Sequence, residues 1–216
     1  MKPLLEIIGG ELADSLKKAG RTKTFREGEE IFAAGERANF LPIVLTGRVK
    51  MVSFPAAGKE VIIGIFGDGE MFAVPPVFDG GDYPASAFAM EKTTLLMLER
   101  KDFLRLLSER SEFSFAVIGW MSEMLREKTA AIQNLATASP ERRAGNVLLR
   151  LAAKENSLDG QITIRLRRRE IAEIAGMTTE TTIRAIRRLA DKKLIEIRHG
   201  KIVIGDPEPL REFLSR

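Results

Sequence analysis

Between about residues 24 and 98 the sequence is a series of short apolar stretches separated by glycine. The stretches "EEIFAAGER", "FLPIVLTGRVKMVSF", "AAGKEVIIGIFGDGEMF" and "TTLLMLER" each carry strand-forming residues. Glycine adopts the positive φ of a hairpin turn without strain, and a turn signal about every ten residues is typical of antiparallel sheets. The segment therefore predicts an antiparallel β-sandwich or barrel-like roll. Its turn glycines are Gly28, Gly35, Gly47, Gly58, Gly67, Gly69, Gly80 and Gly81.

The pattern changes to helical periodicity after Glu99. "RKDFLRLLSER" predicts a short amphipathic helix, and "SEFSFAVIGWMSEMLREKTAAIQNLATA" predicts a long one. Apolar residues recur three and four apart along the long helix, as in a coiled-coil seam, although such a stripe also suits a plain core. Lys128 lies on this stripe, and burying it in a monomer would be costly unless it is paired. Ile118 and Leu125 flank the stripe.

Charge is unevenly divided along the chain. Residues 138–216 contain 17 Lys and Arg against 11 Asp and Glu, a net +6, whereas residues 1–137 contain 17 against 19, a net −2. A basic C-terminal third on a slightly acidic body indicates a module that binds a polyanion. The alternative is a solvated basic surface without a partner.

Residues 167–204 read "RRREIAEIAGMTTETTIRAIRRLADKKLIEIRHGKIVI". They predict a short helix from Arg168 to Ala175, a tight turn at Gly176, and a second helix from Thr179 to about Lys192 capped by Thr178 or Thr179. Two helices joined by a short turn that contains glycine predict a helix-turn-helix. Upstream, "SP" at 139–140 predicts the capped start of another helix.

The second helix has two distinct faces. Thr182, Ile186 and Leu189 form an inner stripe, whereas Glu180, Arg184 and Arg187 lie on the other side. Arginine can bond the O6 and N7 atoms of guanine, and glutamate can accept from cytosine N4. The hairpin that follows, with basic residues at its tip, suits phosphate contact; the alternative is an ordinary helical hairpin with solvated arginines. We predict DNA contacts from Arg168, Thr178, Thr179, Glu180, Ile183, Arg184, Arg187 and Lys201.

The composition leaves little material for enzymatic chemistry. The chain has no cysteine and a single histidine, His199. Disulfides, thiolate zinc sites and cysteine-held iron–sulfur clusters are thereby excluded, although carboxylates alone can still catalyse. No apolar run is long enough to span a bilayer, and acidic residues come too early for a secretory signal. We expect a cytoplasmic protein that is not an enzyme and has no membrane partner.

The whole chain resembles the CRP/FNR family of bacterial transcription regulators. The residues that carry this resemblance are "AGERA", "IVLTGRVKM", "GKEVIIGIFGDGE", "NLA" and "TETTIRAIRRLADKKLI". It implies an α+β chain with a cyclic-nucleotide-binding-like antiparallel β-roll at residues 1–112, a dimerisation helix at 113–137 and a winged helix-turn-helix DNA-binding domain at 138–216. It further implies a homodimer on a two-fold symmetric DNA site, with RNA polymerase as a partner. The implied dimer seam is Val117, Met121, Met124, Lys128, Ile132 and Leu135.

The resemblance also locates the effector site of the roll. Cyclic-nucleotide members hold the ribose and phosphate with Gly-Glu and, about ten residues later, with Arg-Ser/Thr-Ala. Here the Gly-Glu positions are Ala73 and Val74, and the Arg position is Ala85, followed by a matching Ser86. Without the arginine the cyclic phosphate has no bidentate partner. We therefore expect an effector other than cyclic AMP.

The segment "FDGGDYPASA" resembles the "YPATA"-type segment of nitric-oxide- or redox-responsive members, some of which bind haem. Haem is compatible with an apolar pocket, but its usual histidine ligand is missing from this domain. A methionine, Tyr83, a lysine or the N-terminal amine would have to bind the iron instead. Another small effector, a packed pocket without ligand, and an architectural DNA-binding protein whose roll is purely structural all remain open. The predicted effector pocket is Phe72, Val74, Ala85, Ser86, Met124, Leu125, Lys128 and Thr129.

Overall fold

A computed structural model describes residues 8, 10–56, 59–153 and 161–215 of the chain. Side chains are further undescribed at 56, 59, 131 and 133–137. The chain divides into two compact units, Met1–Glu127 and Lys128–Arg216.

The first unit is a β-roll with a short helix before it and helices after it. Its elements are α1 (Gly10–Ala19), β1 (Arg21–Phe25), β2 (Glu30–Phe32), β3 (Phe40–Thr46), β4 (Val49–Ala56), β5 (Lys59–Phe66), α2 (Val74–Asp79), β6 (Ser86–Ala89), β7 (Thr93–Glu99), α3 (Arg100–Glu109) and the part of α4 (Ser111–Thr137) that precedes Lys128. Two antiparallel sheets form the roll, one of three strands in the order β1-β7-β3 and one of four in the order β2-β6-β4-β5. The predicted roll is thus confirmed.

Strands β1 and β6 lie outside the stretches that the sequence pattern predicts. Strand β1 reads "RTKTF", and its first four residues are exposed, so it has no apolar alternation to detect. Strand β6 reads "SAFA" and is too short and too rich in small residues to be recognised as a strand. Both are held by backbone pairing with longer neighbours, because β1 pairs with β7, and β6 pairs with β2 and β4.

Aromatic side chains form a continuous chain through the interior of the roll. Tyr83 stacks on Phe32 with 3.7 Å between ring centroids, and Phe40 meets Tyr83 edge-on at 5.8 Å. On the other side, Phe72 lies 6.0 Å from Phe32 and 5.0 Å from Phe66. Aromatic pairs at these distances add to the stabilisation from burial. Aromatic side chains of the roll itself therefore pack along this line through its interior.

The second unit contains a winged helix-turn-helix. After the end of α4, its elements are α5 (Pro140–Ala152), β8 (Ile162–Ile164), α6 (Arg168–Ala175), α7 (Thr179–Asp191), β9 (Glu196–Arg198), β10 (Lys201–Ile204) and α8 (Glu208–Ser215). Strand β10 lies between β8 and β9 in a three-stranded antiparallel sheet. Helix α8, which the sequence pattern does not predict, packs Leu210 and Leu214 against Gly145.

Candidate nucleic-acid interface and effector site

The turn between α6 and α7 has the geometry that the sequence predicts. Gly176 adopts a left-handed conformation (φ 61°, ψ 37°) at the end of α6, a conformation that costs glycine little. Thr178 caps α7, because its hydroxyl oxygen accepts a hydrogen bond from the Thr181 N–H at 3.2 Å. Thr179 is the first residue of the helix. These local features set the angle between the two helices.

Helix α7 buries one side and exposes the other. Thr182, Ile186 and Leu189 are almost completely buried, as predicted for the inner stripe. Glu180, Arg184 and Arg187 are all exposed. Glu180 and Arg184 form a 3.7 Å ion pair with side chains 80% and 63% exposed, and such a pair is worth little in water. Both groups can therefore leave each other for base edges at small cost.

The remaining predicted DNA contacts have differing exposure. Thr178, Thr179 and Lys201 are exposed, whereas Ile183 is half-buried. Arg168, also half-buried, donates from Nη2 to the Gly200 carbonyl oxygen at 3.1 Å. That bond ties the start of α6 to the tip of the wing. Arg168 thus makes a structural bond, and its DNA contact stays a prediction.

The wing is a tight hairpin between β9 and β10. His199 and Gly200 both have positive φ, at 49° and 78°, as in the turns that match the twist of a two-residue β-hairpin. Arg198, His199, Gly200 and Lys201 are all exposed at this tip. The arrangement presents cations and backbone to a phosphate chain.

Two charged residues of α5 support the helix-turn-helix, and neither is indicated by the sequence pattern. Arg143 donates from Nε to the Ala175 carbonyl oxygen at 3.0 Å and from Nη2 to that of Gly176 at 2.8 Å, so it satisfies carbonyl groups at the end of α6. Glu141 pairs with Arg188 of α7. The partners lie more than 30 residues apart in the chain, and no local pattern signals such a contact.

The positions that would bind a cyclic nucleotide have an unusual backbone conformation and lack the glutamate and arginine side chains. Ala73 has a left-handed conformation (φ 57°, ψ 28°) just before α2, which a non-glycine residue adopts at a cost. Pro75 and Pro76 follow in the first turn and carry no N–H, so this helix start has few donors for an anion. Val74 and Ala85 are fully buried. Ser86 Oγ accepts a hydrogen bond from the Ala34 N–H at 3.0 Å.

The other predicted pocket residues divide between the two units. Phe72 is fully buried in the roll core, and Met124 is half-buried against that core. Leu125 is 67% exposed. Lys128 and Thr129 are also exposed and belong to the second unit. The structure therefore brings Phe72, Val74, Ala85 and Ser86 into the buried interior of the roll, and places Leu125 on the outside of α4.

Tyr83 does not fit the role of a haem ligand. Its hydroxyl donates to the Phe40 carbonyl oxygen at 2.7 Å. Burial raises the pKa of Tyr83 well above its ordinary value, an effect that the bond to Phe40 only partly offsets. A tyrosine binds iron as the phenolate, which this environment disfavours. Within the described part of the chain, no cluster of three or more His, Asp or Glu side chains is placed to hold a metal ion.

The residues of the predicted dimer seam have different surroundings along α4. Val117 is 4% exposed and belongs to the roll core, and Met121 packs against that core. Val117 therefore leaves the predicted seam, because its surface is already covered within the chain. Of the other seam residues, Lys128 and Ile132 are exposed, and the Leu135 side chain lies outside the described residues. Among the described side chains of α4, the large apolar ones left exposed are Phe115, Ile118, Leu125 and Ile132, at 74%, 58%, 67% and 67%.

Comparison with known proteins gives matches over both units. Residues 22–110 match the cyclic nucleotide-binding domain, and residues 142–213 match the Crp-like helix-turn-helix domain. The chain is 31% identical over 176 residues to the cAMP-activated global transcriptional regulator CRP of Haemophilus influenzae, which covers 79% of this chain and 77% of that protein. It is 27% identical over 211 residues to the Cyclic AMP receptor protein of Thermus thermophilus, with 98% and 96% covered.

A solved structure shares the fold. FixK2 from Bradyrhizobium japonicum superposes with a TM-score of 0.80 at 20% identity, covering 89% of this chain and 96% of that one.

Within the described residues, no helix has the length and apolar character needed to cross a bilayer.

Proposed function

The chain belongs to the CRP/FNR family of DNA-binding transcription regulators, and from this premise we propose that it acts as a homodimer that reads a two-fold symmetric DNA site through α7. The observation that carries the proposal is the division of α7 into a buried stripe and an exposed face with Glu180, Arg184 and Arg187. In this role Arg184 and Glu180 contact base edges, and Lys201 in the wing contacts phosphate. In this proposal, RNA polymerase is the protein partner of the DNA-bound dimer.

The proposed dimer forms along α4. Phe115, Ile118, Leu125 and Ile132 are spaced by three and by multiples of seven, and all four are exposed in the single chain. Ser122 and Thr129 complete the alternating three-and-four spacing between them. A seven-residue apolar repeat lets two helices pack along a continuous line. A second copy of α4 would cover this stripe.

We further propose that cyclic AMP is not the effector of this protein, although the names of the two relatives above include cyclic AMP. Ala85 offers no guanidinium for the phosphate, and Val74 offers no carboxylate for the ribose. Pro75 and Pro76 remove backbone donors at the start of α2. Ser86, the one polar residue kept, accepts a hydrogen bond from the Ala34 N–H. A different small molecule in the roll is the effector of this proposal.

Titration of DNA binding with cyclic AMP tests the exclusion. We expect saturating cyclic AMP to leave the Kd for a selected DNA duplex unchanged and to produce no binding heat with the protein alone. A cyclic-AMP-dependent gain in affinity would contradict the proposal, because it would require an anion site that these side chains do not supply.

A second candidate, a regulator that needs no ligand, is favoured by the packed interior of the roll. The rings of Phe40, Tyr83, Phe32, Phe72 and Phe66 run through that interior. To separate the two candidates, the protein can be unfolded, dialysed and refolded, which removes any bound molecule. Unchanged DNA affinity after refolding supports the ligand-independent candidate, whereas a loss that a cell extract of small molecules restores supports an effector.

Haem is the least suitable effector, because the Tyr83 hydroxyl donates to the Phe40 carbonyl oxygen and burial raises the pKa of Tyr83, which disfavours the phenolate that iron would need. The visible spectrum of protein expressed with added haem tests this directly. We expect no Soret band beyond that of free haem, and a sharp stoichiometric band would overturn the expectation.

A further inference from the structure

The first turn of α5 contacts both helices of the helix-turn-helix. Glu141 Oε1 accepts a hydrogen bond from Nη1 of Arg188 in α7 at 2.5 Å. Two residues later, the Arg143 guanidinium donates to the carbonyl oxygens of Ala175 and Gly176 at the end of α6. One turn therefore contacts the end of α6 and the last turn of α7.

The Glu141 carboxylate depends on its cationic partner. Its side chain is only 13% exposed, whereas that of Arg188 is 67% exposed. The hydrogen bond from Arg188, followed by the backbone N–H of Glu141, lowers the pKa of Glu141 below its ordinary value. Because Arg188 is largely exposed, the pair is only partly desolvated, and its loss should cost less than that of a fully buried pair. Its hydrogen bond joins the first turn of α5 to the last turn of α7.

The turn that carries these residues has a stiff start. The Ser139 hydroxyl accepts a hydrogen bond from the Arg142 N–H at 3.4 Å, and Pro140 occupies the first helical position. Proline fixes φ there, and the cap satisfies an otherwise free donor. Helix α5 begins three residues after Thr137, the last residue of α4. A rotation of this first turn of α5 should therefore move α6 and α7, which are hydrogen-bonded to it.

We propose that Glu141 and Arg143 are positioning residues for DNA recognition, which fix the angle at which α7 enters the major groove without touching DNA themselves. The proposal rests on the proposed reading of DNA by α7. Arg188 lies four residues after Arg184 in the same helix, so a small tilt of α7 at Arg188 moves the base-reading side chains. Loss of the contact should reduce discrimination between sequences more than it reduces attraction to the phosphate backbone.

The test compares Glu141→Gln, Arg188→Gln and the double variant. The DNA probes are the duplex that the wild-type protein selects from a random library and a duplex of scrambled sequence, each measured over a series of salt concentrations. We expect each single variant to bind the selected duplex about tenfold more weakly and the scrambled duplex equally well, with an unchanged salt slope. The double variant should be no weaker than either single variant, because both remove one interaction.

Glu208→Gln is the matched control, since it breaks an exposed ion pair with Arg211 at 2.9 Å in the same unit and should change no DNA affinity. Arg143→Lys provides a second variant that keeps the charge but loses the forked donor, and it should again weaken only selected DNA. Circular dichroism before each titration confirms that the variants are folded.

Two outcomes overturn the proposal. If Arg188→Gln lowers the salt slope by about one and its effect adds to that of Glu141→Gln, Arg188 is a phosphate contact. If Glu141→Gln binds both duplexes like the wild type, the pair positions nothing. A wild-type protein that selects no sequence at all would instead refute the proposed function.

Discussion

At the scale of single residues, Lys193 has a backbone conformation that glycine normally supplies. Its φ is +57°, and it lies two residues beyond the end of α7. The Lys193 N–H donates to the Ala190 carbonyl oxygen, and the Leu194 N–H donates to that of Leu189. These bonds satisfy carbonyl groups at the end of the helix, as in a Schellman motif. The chain therefore leaves α7 through a lysine in a strained backbone conformation.

Lys193→Gly should raise the free energy of unfolding by about 0.5–1 kcal/mol, because glycine adopts this φ without the Cβ clash. Urea unfolding followed by circular dichroism measures the change. Lys192→Gly is the control, since Lys192 has φ −77° and its ammonium lies 4.4 Å from the centroid of the Phe213 ring. That variant should be less stable than the wild type. A loss of stability in Lys193→Gly would show that the conformation carries no strain.

Tyr83 makes the roll sensitive to high pH. Burial raises the pKa of this single tyrosine, so the folded roll keeps the proton that the unfolded chain releases. The stabilisation is fully present below pH about 10, the pKa of an exposed tyrosine, and is lost as the pH rises above it. We expect tyrosinate absorbance to appear only as circular dichroism reports unfolding. A reversible tyrosinate titration of the folded protein at about pH 10, where an exposed tyrosine titrates, would contradict this expectation.

Left-handed residues show how far sequence reasoning reaches at this scale. Gly28, Gly47 and Gly80 have positive φ where turns were predicted, because glycine itself marks such positions. Ala73 and Lys193 also have positive φ, and nothing in their residue type indicates it. Their conformations are imposed by the hydrogen bonds and packing of neighbouring elements, which appear only in the folded chain.

At the scale of elements, α4 carries two adjacent apolar stripes. Periodicity alone predicts the helix and its apolar character, but it does not decide which stripe faces the roll. Met121 and Met124 pack against the roll core, whereas Ile118 and Leu125 remain exposed. The shape of the roll determines which stripe is buried, and the sequence of the helix alone carries no information about that shape.

Leu125→Asp should convert the proposed dimer to monomers, because it places a charge on the exposed apolar stripe. Analytical ultracentrifugation at several protein concentrations measures the change. Glu127→Gln is a suitable control, since position 127 points away from the stripe and should leave the dimer intact. Because Leu125 is 67% exposed in the single chain, circular dichroism of the variant should stay native. A dimer that persists in Leu125→Asp would place the seam elsewhere.

At the scale of the whole molecule, the order of elements and the distribution of charge were sufficient to predict the architecture. The net +6 of residues 138–216 coincides with the winged helix-turn-helix, and the glycine-separated stretches coincide with the roll. The supports that hold α7, namely the Glu141–Arg188 pair and the bonds from Arg143, could not be predicted. They join residues distant in the chain, whose proximity depends on the finished fold.

Arg184→Ala should weaken binding to the selected site by about 1–3 kcal/mol and relax the base preference at one position in each half-site. The reason is loss of a side chain that contacts a base edge. Selection from a random duplex library, repeated with the variant, gives the measurement. Lys201→Ala is the control: it should weaken all sequences alike and lower the salt slope by about one. Equal weakening of all sequences by Arg184→Ala would remove its base-reading role.

The central claim, that a homodimer reads DNA through paired α7 helices, is tested most directly by the sequences that the wild-type protein selects from a random duplex library. Two recognition helices related by two-fold symmetry reach successive major grooves on one side of the duplex. We predict enriched sequences that are two-fold symmetric, with half-sites about one helical turn, roughly 34 Å, apart. Enrichment of a single asymmetric site, or no enrichment at all, would contradict the claim.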